Sequence, residues 1–325
     1  MTQVLVTGAA GFIGSHVCES LLRRGCTVRG LDAFTTFYDP DRKRGNIEAL
    51  TQHPDFELVS DDLLTAPLDE ALDGVDLIAH LAGEPGVSNS WGPNFERYVD
   101  RNVLATQRLL EAADAHGIDR LVYASSSSVY GTGADTVRAA GEPRPASPYG
   151  VTKLAAETLV GAYAGTGLSA VSLRYFSVYG PRQRPDMAAH RFIESLLDGR
   201  ALTVYGDGQQ VRDFTFVDDI VEATVRALFA DVPTGAVLDV ASSRPTSVNE
   251  LVTHLEELFG VESTRDTNGE RRGDVPRTEG VIDSARDQLG WKPTIDLRTG
   301  LQRQIDWHRS LRGPHVNAAM AQVRA

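Results

Sequence analysis

The sequence predicts an α/β chain, a doubly wound parallel sheet with a smaller C-terminal α+β domain suited to carry a ligand. Three observations predict it. Apolar strand-like runs alternate with helix-like segments up to about residue 180, the first run opens directly into a glycine-rich turn and a helix, and the pattern becomes irregular after Pro181. Strands that alternate with helices imply a parallel sheet covered on both faces.

Gln3-Val-Leu-Val6 is an apolar run of strand type, followed by Thr7-Gly8-Ala-Ala-Gly11-Phe12-Ile13-Gly14 and an amphipathic stretch to Arg24. In that order, backbone amides and a helix N-terminus face a pyrophosphate that side chains at the glycine positions would block. A second strand over 27–31 ends at Asp32. A carboxylate there accepts hydrogen bonds from both ribose hydroxyls of NAD and repels the 2′-phosphate of NADP, so NAD is the expected cofactor. Further strand-like runs lie at 56–60, 75–79, 120–124 and 169–175, and the longest helical stretches near 94–116 and 149–164. Val103, Leu104, Leu109 and Leu110 form an apolar stripe on the first of these helices. The stripe suits burial against the sheet or, where exposed, a homodimer interface. Residues 1–180 are expected to form a Rossmann-type domain. The segment 214–241, read as helix plus apolar strand, returns to it. Residues 181–213 and 242–312 form the substrate domain, and 313–325 a weakly patterned tail.

Bulk properties narrow the partners. The net charge of −12 argues against nucleic acid or an anionic membrane, either of which needs a broad basic face. No stretch approaches the ~20 apolar residues of a membrane span. The first strand starts at residue 3, which leaves no room for a signal peptide, and the expected location is the cytoplasm. Cys18 and Cys26 lack metal-ligand spacing and read as free thiols, and no metal is expected. Of the 32 basic residues only three are lysines.

One of those lysines, Lys153, stands four residues after Tyr149, with Ser125 to Ser128 upstream. Positions i and i+4 share a helix face, so phenol and ammonium can address one substrate. Tyrosine, with an ordinary pKa of ~10, becomes a base near neutrality only when positive charge stabilises its phenolate. Lys153 and an oxidised nicotinamide could supply that charge. A serine at the end of the 120–124 strand could hold the reacting oxygen while Tyr149 removes its proton and NAD accepts hydride from the carbon.

These residues resemble, over nearly the whole chain, the extended short-chain dehydrogenase/reductases that act on nucleotide sugars. The resemblance implies a dinucleotide turn at Gly8, Gly11 and Gly14 with Phe12 and Ile13, and an adenine-contacting pair at Asp62-Leu63. It also implies a strand end under the cofactor at His80-Leu81-Ala82-Gly83, a helix asparagine at Asn102, and a catalytic set of Ser126, Tyr149 and Lys153. Phe34, Lys43, Ala124, Ser125 and Tyr175 join the cofactor site on the same ground. In the family's dehydratases the two residues before Val-Tyr-Gly are acidic, and in its UDP-glucuronate decarboxylases the residue just before is glutamate. Here both are serine, Ser127 and Ser128, so chemistry beyond C4 lacks its agent and epimerisation remains.

Within the epimerases, Asp32 to Pro40 continuing through Asn46 resembles the insertion of UDP-glucuronate 4-epimerases, as does Arg174 to Pro181 continuing through Arg184 to Met187. Ser177 stands where UDP-galactose 4-epimerases carry asparagine. Hydroxyls of Ser127, Ser128 and Ser177 could hold a C6 carboxylate through neutral donors. Gly86 and Val87 are expected beside the sugar. Arg212 and Arg271 or Arg272 are expected at the diphosphate, Asp274 at the ribose, and Arg184 and Arg191 as further contacts. Glu84-Pro-Gly-Val-Ser88 replaces the Gln-Ala-Gly-Val-Arg usual in these epimerases. An unneutralised Glu84 facing a carboxylate is unfavourable, so it points away, pairs, or marks a different sugar. Arg182 could return the missing positive charge.

His80 and His190 read as hydrogen-bonded structural histidines, Trp91 and Trp291 as core or anchor residues, and Tyr130 and Tyr175 as lining the nicotinamide or packing beneath it. The expected activity is NAD-dependent C4 epimerisation of a UDP-hexuronate, UDP-glucuronate to UDP-galacturonate. Its alternatives are UDP-glucose/galactose epimerisation, UDP-glucuronate decarboxylation, and a non-catalytic dinucleotide sensor.

Overall fold

The computed structural model describes residues 1–131 and 142–312, so the tail 313–325 lies outside the described residues. Seven parallel strands form the central sheet. In chain order the first half runs β1 (Gln3–Thr7), α1 (Phe12–Arg23), β2 (Thr27–Leu31), α2 (Pro40–Ile47), β3 (Phe56–Val59), α3 (Leu68–Leu72) and β4 (Leu77–His80). Then come α4 (Phe95–Tyr98), α5 (Ala105–Ala115), β5 (Arg120–Ser126), α6 (Pro148–Thr166) and β6 (Ala170–Tyr175).

The strands form because their apolar side chains alternate between two cores. Val4 and Val6 of β1 pack into one and Leu5 into the other. Likewise Val122 of β5 faces the first, while Leu121 and Tyr123 face the second. The strand order is β3-β2-β1-β4-β5-β6, with a seventh strand beyond β6. The chain winds outward from β1 and then reverses past it, so the switch point lies between β1 and β4. Open α/β sheets bind ligands at the carboxyl ends of the strands flanking that point.

The stretch 94–116 is not one α-helix. It runs as α4, a π-helical turn over Val99–Leu104, and α5. The wider turn rotates the faces, which corrects the expected stripe. Leu109 and Leu110 are buried, whereas Leu104 is 47% exposed.

From Ser177 onward the chain is more ordered than its composition suggested. It forms β7 (Ser177–Tyr179), α7 (Ala188–Leu197), β8 (Leu202–Tyr205), β9 (Val211–Phe216) and α8 (Val217–Phe229), then β10 (Val237–Val240), β11 (Pro245–Ser247), α9 (Val248–Phe259), β12 (Arg265–Asn268), α10 (Asp283–Leu289) and α11 (Leu297–Leu311). β10 pairs in parallel with β6 and is the seventh strand of the main sheet, while β11-β9-β7 and β12-β8 form two small sheets. Of these, β11 and β12 are short and polar, with every residue of β12 exposed, and carry no apolar signature, whereas β8 and β9 bury Leu202, Val204, Phe214 and Phe216. Helix α9 is held by a capping box between Ser247 and Glu250 and stopped by left-handed Gly260.

Candidate active site

The turn after β1 is shaped for close approach. Gly8 has φ of +70°, and a Cβ at Gly14 would sit well inside van der Waals distance of the Gly8 carbonyl oxygen. Gly11, at the N-cap of α1, makes no side-chain cap, so the first amides of that helix are left to an external acceptor. At the end of β2, Asp32 is buried. It accepts from the Ala10 amide at 3.1 Å and the Phe34 amide at 2.8 Å.

Lys43 Nζ lies 3.7 Å from Asp32 and donates to Thr35 Oγ1 at 3.1 Å. Burial lowers its pKa, and the Asp32 charge opposes the shift. A cavity of about 180 Å³ joins the glycine turn to Asp32, Lys43, Asp62, Leu63, Leu81, Ala82, Gly83 and Ala124. The donor set is thus open amides at one end and acceptors at the other, which fits a dinucleotide. Phe34 reaches this region through its backbone amide. Phe34 also lines an adjoining cavity with Arg97 and Arg101.

The catalytic candidates converge where β5 meets α6. Ser147 caps α6 through the Gly150 amide at 3.1 Å with Pro148 in the first turn, which brings Tyr149 to the mouth of the helix. Tyr98 packs edge-on to the Tyr149 ring, 6.2 Å between centroids, and its hydroxyl donates to the Pro85 carbonyl at 2.8 Å. Burial raises the Tyr149 pKa, while a hydrogen bond with Ser126 and the charge of Arg184 pull it back. Ser126 Oγ also accepts from the Ser128 amide at 3.1 Å.

Lys153 is buried, and burial lowers its pKa to about 7 against the opposing charge of Glu157. Its ammonium donates to the Ala124 carbonyl at 2.5 Å and sits 4.3 Å from the Tyr123 ring centroid. Behind it Glu157 accepts from Ser125 Oγ at 2.5 Å and from Arg174 at 3.0 and 2.5 Å.

The sugar-sized cavity, about 340 Å³, is lined by Ser126, Ser127, Ser128, Tyr149, Lys153 and Ser177. Gly86, Val87, Asn102, Tyr175, Arg184, Arg212 and Asp274 complete its wall. Arg184 is gripped by Asp186 at 3.0 Å through both Nε and Nη2 and lines the sugar and cofactor cavities together. Arg212 pairs with Asp274 at 2.5 Å. An adjoining cavity of about 210 Å³ shares Ser177, Arg212 and Asp274 with the first and adds Arg191, Tyr205 and Arg271. Arg271 lies 3.7 Å from the Tyr205 ring centroid, whereas Arg272 stacks on Trp91 at 3.9 Å. The geometry therefore separates the two adjacent arginines and puts Arg271 at the cavity.

Several expectations change. Arg182, with φ of +66°, turns to Glu19 and Ser15 of α1 and lines no part of the sugar cavity. The missing charge is not returned there. Glu84 pairs, lying 2.6 Å from Arg97 and 3.9 Å from Arg101. Tyr130 does not line the cavity. Its hydroxyl donates to the buried Asp239 at 2.7 Å and accepts from Arg174 at 2.8 Å.

His80 is structural, held between Thr7 at 2.7 Å and Thr106 at 2.9 Å. His190 groups with Glu194 and His308, but Glu194 is already engaged by His308 at 2.5 Å and Arg312 at 2.6 Å. Trp291 is core, its indole N–H donating to the Asp219 carbonyl at 2.9 Å. Residues not anticipated are Asp186, which fixes Arg184, and Arg101, which lines the cofactor cavity. The Arg97/Arg101 spacing of i,i+4 was the available signal for the second.

Residues 4–241 match the NAD dependent epimerase/dehydratase family. An uncharacterized UDP-glucose epimerase, YtcB of Bacillus subtilis (strain 168), is 42% identical over 95% of this chain and 98% of its own. UDP-glucuronate 4-epimerase 3 of Arabidopsis thaliana is 39% identical over 94% of this chain and 76% of its own. The crystal structure of UDP-glucuronic acid 4-epimerase from Bacillus cereus, in complex with UDP-glucuronic acid and NAD, superposes with a TM-score of 0.92 at 40% identity. It covers 95% of this chain and 100% of that one.

Proposed function

Because the chain belongs to the NAD dependent epimerase/dehydratase family, we propose that it is an NAD-dependent 4-epimerase converting UDP-glucuronate to UDP-galacturonate. The observation that carries the reading is the wall of the sugar cavity. Ser126, Tyr149 and Lys153 meet there, and beside them stand two serine hydroxyls, Ser127 and Ser128, where dehydration or decarboxylation would need a carboxyl group. Among the described residues the carboxylates on that wall are Glu84 and Asp274, and each is paired with an arginine.

Residues 1–180 with 214–241 would hold the cofactor, and 181–213 with 242–312 the UDP-sugar. The glycine turn, Asp32, Lys43 and Asp62 would hold NAD, which when bound supplies the hydride acceptor and donor for C4. Tyr149 takes the proton of the C4 hydroxyl while Ser126 holds that oxygen, and returns it after the 4-keto sugar has presented its other face. Arg212 and Arg271 hold the diphosphate and Asp274 the ribose, so the sugar turns about a fixed end.

Ser127, Ser128 and Ser177, with Arg184, hold the C6 carboxylate. The 4-keto intermediate is a β-keto acid prone to lose CO2, so that grip also keeps the carboxylate out of the orientation for cleavage. Ser177→Ala is therefore expected to raise KM for UDP-glucuronate about tenfold, the worth of a hydrogen bond to a charged group. It should also release UDP-4-keto-pentose, visible by NMR. A variant with unchanged KM and no extra keto-pentose counts against this role.

The defining test follows the sugar by NMR with UDP-glucuronate and, separately, UDP-glucose. UDP-galacturonate as product supports the reading. UDP-xylose indicates decarboxylation, UDP-galactose alone a neutral-sugar epimerase, and no product with no copurified NAD a sensor.

The protein acts in the cytoplasm as a homodimer on this reading. No helix among the described residues is long and apolar enough to cross a membrane. Phe95, Val99 and Leu104 are exposed along α4 and the π-helical turn, and Val151 is exposed on α6, which packs beside them. A second copy of the chain would cover this apolar face. Leu104→Asp should weaken the dimer about 100-fold or more, as for a buried hot spot, and sedimentation would show it. A wild-type monomer, or a variant that sediments unchanged, would contradict the interface.

A further inference from the structure

The reaction as read leaves NAD unchanged after each turnover, which favours a protein that keeps its cofactor between cycles. One cluster beside the cofactor cavity has the form to do this. Glu84 is 2% exposed in the loop after β4 and touches the sugar cavity, the cofactor cavity and the adjoining cavity next to Phe34. Its main chain is clamped by Asn102, whose Oδ1 accepts from the Glu84 amide at 2.7 Å and whose Nδ2 donates to the Glu84 carbonyl at 3.0 Å.

The carboxylate lies between Arg97 at 2.6 Å, in ion-pair contact without hydrogen-bond geometry, and Arg101 at 3.9 Å. The other edge of Arg101 meets Asp62 Oδ2 at 3.0 Å, and Asp62 Oδ1 accepts from the Leu64 amide at 3.1 Å. Arg101 is thus held by a carboxylate on each side, and it lines the cofactor cavity.

Backbone geometry supports the same point. Arg101 and the buried Asn102 are adjacent in sequence, and side chains of adjacent α-helical residues diverge by about 100°. Both are placed by the π-helical turn over Val99–Leu104, Arg101 lining the cofactor cavity and Asn102 the sugar cavity, where it clamps the Glu84 main chain. Such turns are costly to form and recur at functional sites. The guanidinium is planar, stays charged, and stacks on aromatic faces, so it is suited to a heteroaromatic base.

We propose that Arg101, fixed between Glu84 and Asp62, is a cofactor-retaining residue that closes the adenosine end of the NAD cavity. Its loss should shorten residence of the dinucleotide without altering the groups that act on the sugar. The inference rests on the NAD-dependent reading above, and its readout is retention of the cofactor rather than turnover.

Wild type, Arg101→Ala, Arg101→Lys and Glu84→Gln would be passed through gel filtration, the bound dinucleotide released by acid and quantified, and its off-rate measured by exchange. Arg101→Ala is expected to release NAD about tenfold faster or more, the effect of losing one charge-assisted contact. Arg101→Lys should release it at a similarly raised rate, because a point charge lacks the planar fork. Glu84→Gln should shift release in the same direction by less. The turnover deficit of Arg101→Ala should shrink as free NAD is raised. If Arg101→Ala fails to fold, Arg101→Lys carries the test through its off-rate alone. Wild-type retention and off-rate in the folded arginine variants overturn the proposal and leave the epimerase reading standing. Failure of wild type to hold NAD or to epimerise would remove that reading instead.

Discussion

Tyr149→Phe is expected to lower turnover by about 10³–10⁴-fold, the upper range for loss of a general base, with the fold intact. The substitution deletes one oxygen. The ring keeps its edge-on packing against Tyr98 and its place in the first turn of α6, so nothing that shapes the cavity is removed. What disappears, among the described residues on the wall, is the group placed to act as base on the C4 hydroxyl: the two carboxylates there are committed to arginines, Lys153 is turned to the Ala124 carbonyl, and Ser126 has no basicity of its own. Bound NAD and KM should change little, and the melting temperature should stay within about 2 °C. Sugar interconversion followed by NMR checks the rate. Turnover within tenfold of wild type would mean that the proton leaves by another route.

Lys153→Met is expected to produce an enzyme that is both crippled and, without cofactor, more stable. The folded-state pKa of Lys153 is about 7 against an ordinary 10.5, because burial disfavours the ammonium. Between those values the unfolded chain binds a proton that the folded chain does not. Wild-type stability should therefore rise with pH from about 7 to 10.5 and be flat and lowest below about 7. At pH 7 the penalty is on the order of 4 kcal/mol. Methionine keeps length and apolar bulk without the charge. It forgoes the bond to the Ala124 carbonyl, a loss of about 1–2 kcal/mol that the relief of desolvation exceeds. Cofactor-free Lys153→Met should thus melt above wild type at pH 7, with the gap closing towards pH 10, while turnover falls about 10²-fold or more. A variant that melts lower at pH 7, or a gap independent of pH, would show that the ammonium is already well solvated in the fold.

The β1-turn-α1 unit, Asp32, and the strand-end serines were legible because each depends on local order: an apolar run, then glycines or hydroxyls at fixed offsets. The Tyr149/Lys153 pair was legible because helical spacing places both on one face. Three features were not. Strands β11 and β12 are short and polar, so no apolar periodicity marks them. The π-helical turn arises from how α4 and α5 must both pack, a tertiary demand that residue types do not announce. The outcome at Glu84 and Arg182 was hidden because charge partners were decided by backbone direction. A left-handed φ at Arg182 sends its side chain to α1, while Arg97 and Arg101 reach Glu84 from a separate helix.

The strand that completes the main sheet, β10, is made only after the chain has left β6, laid down β7 to β9 and returned through α8. The excursion is stitched to the scaffold at both ends, so it behaves as an inset and not as an appended module. Anyone shuffling segments between homologous chains to alter sugar preference must move the inset with both seams. A single crossover near residue 213 would pair one parent's β10 with the other parent's β6.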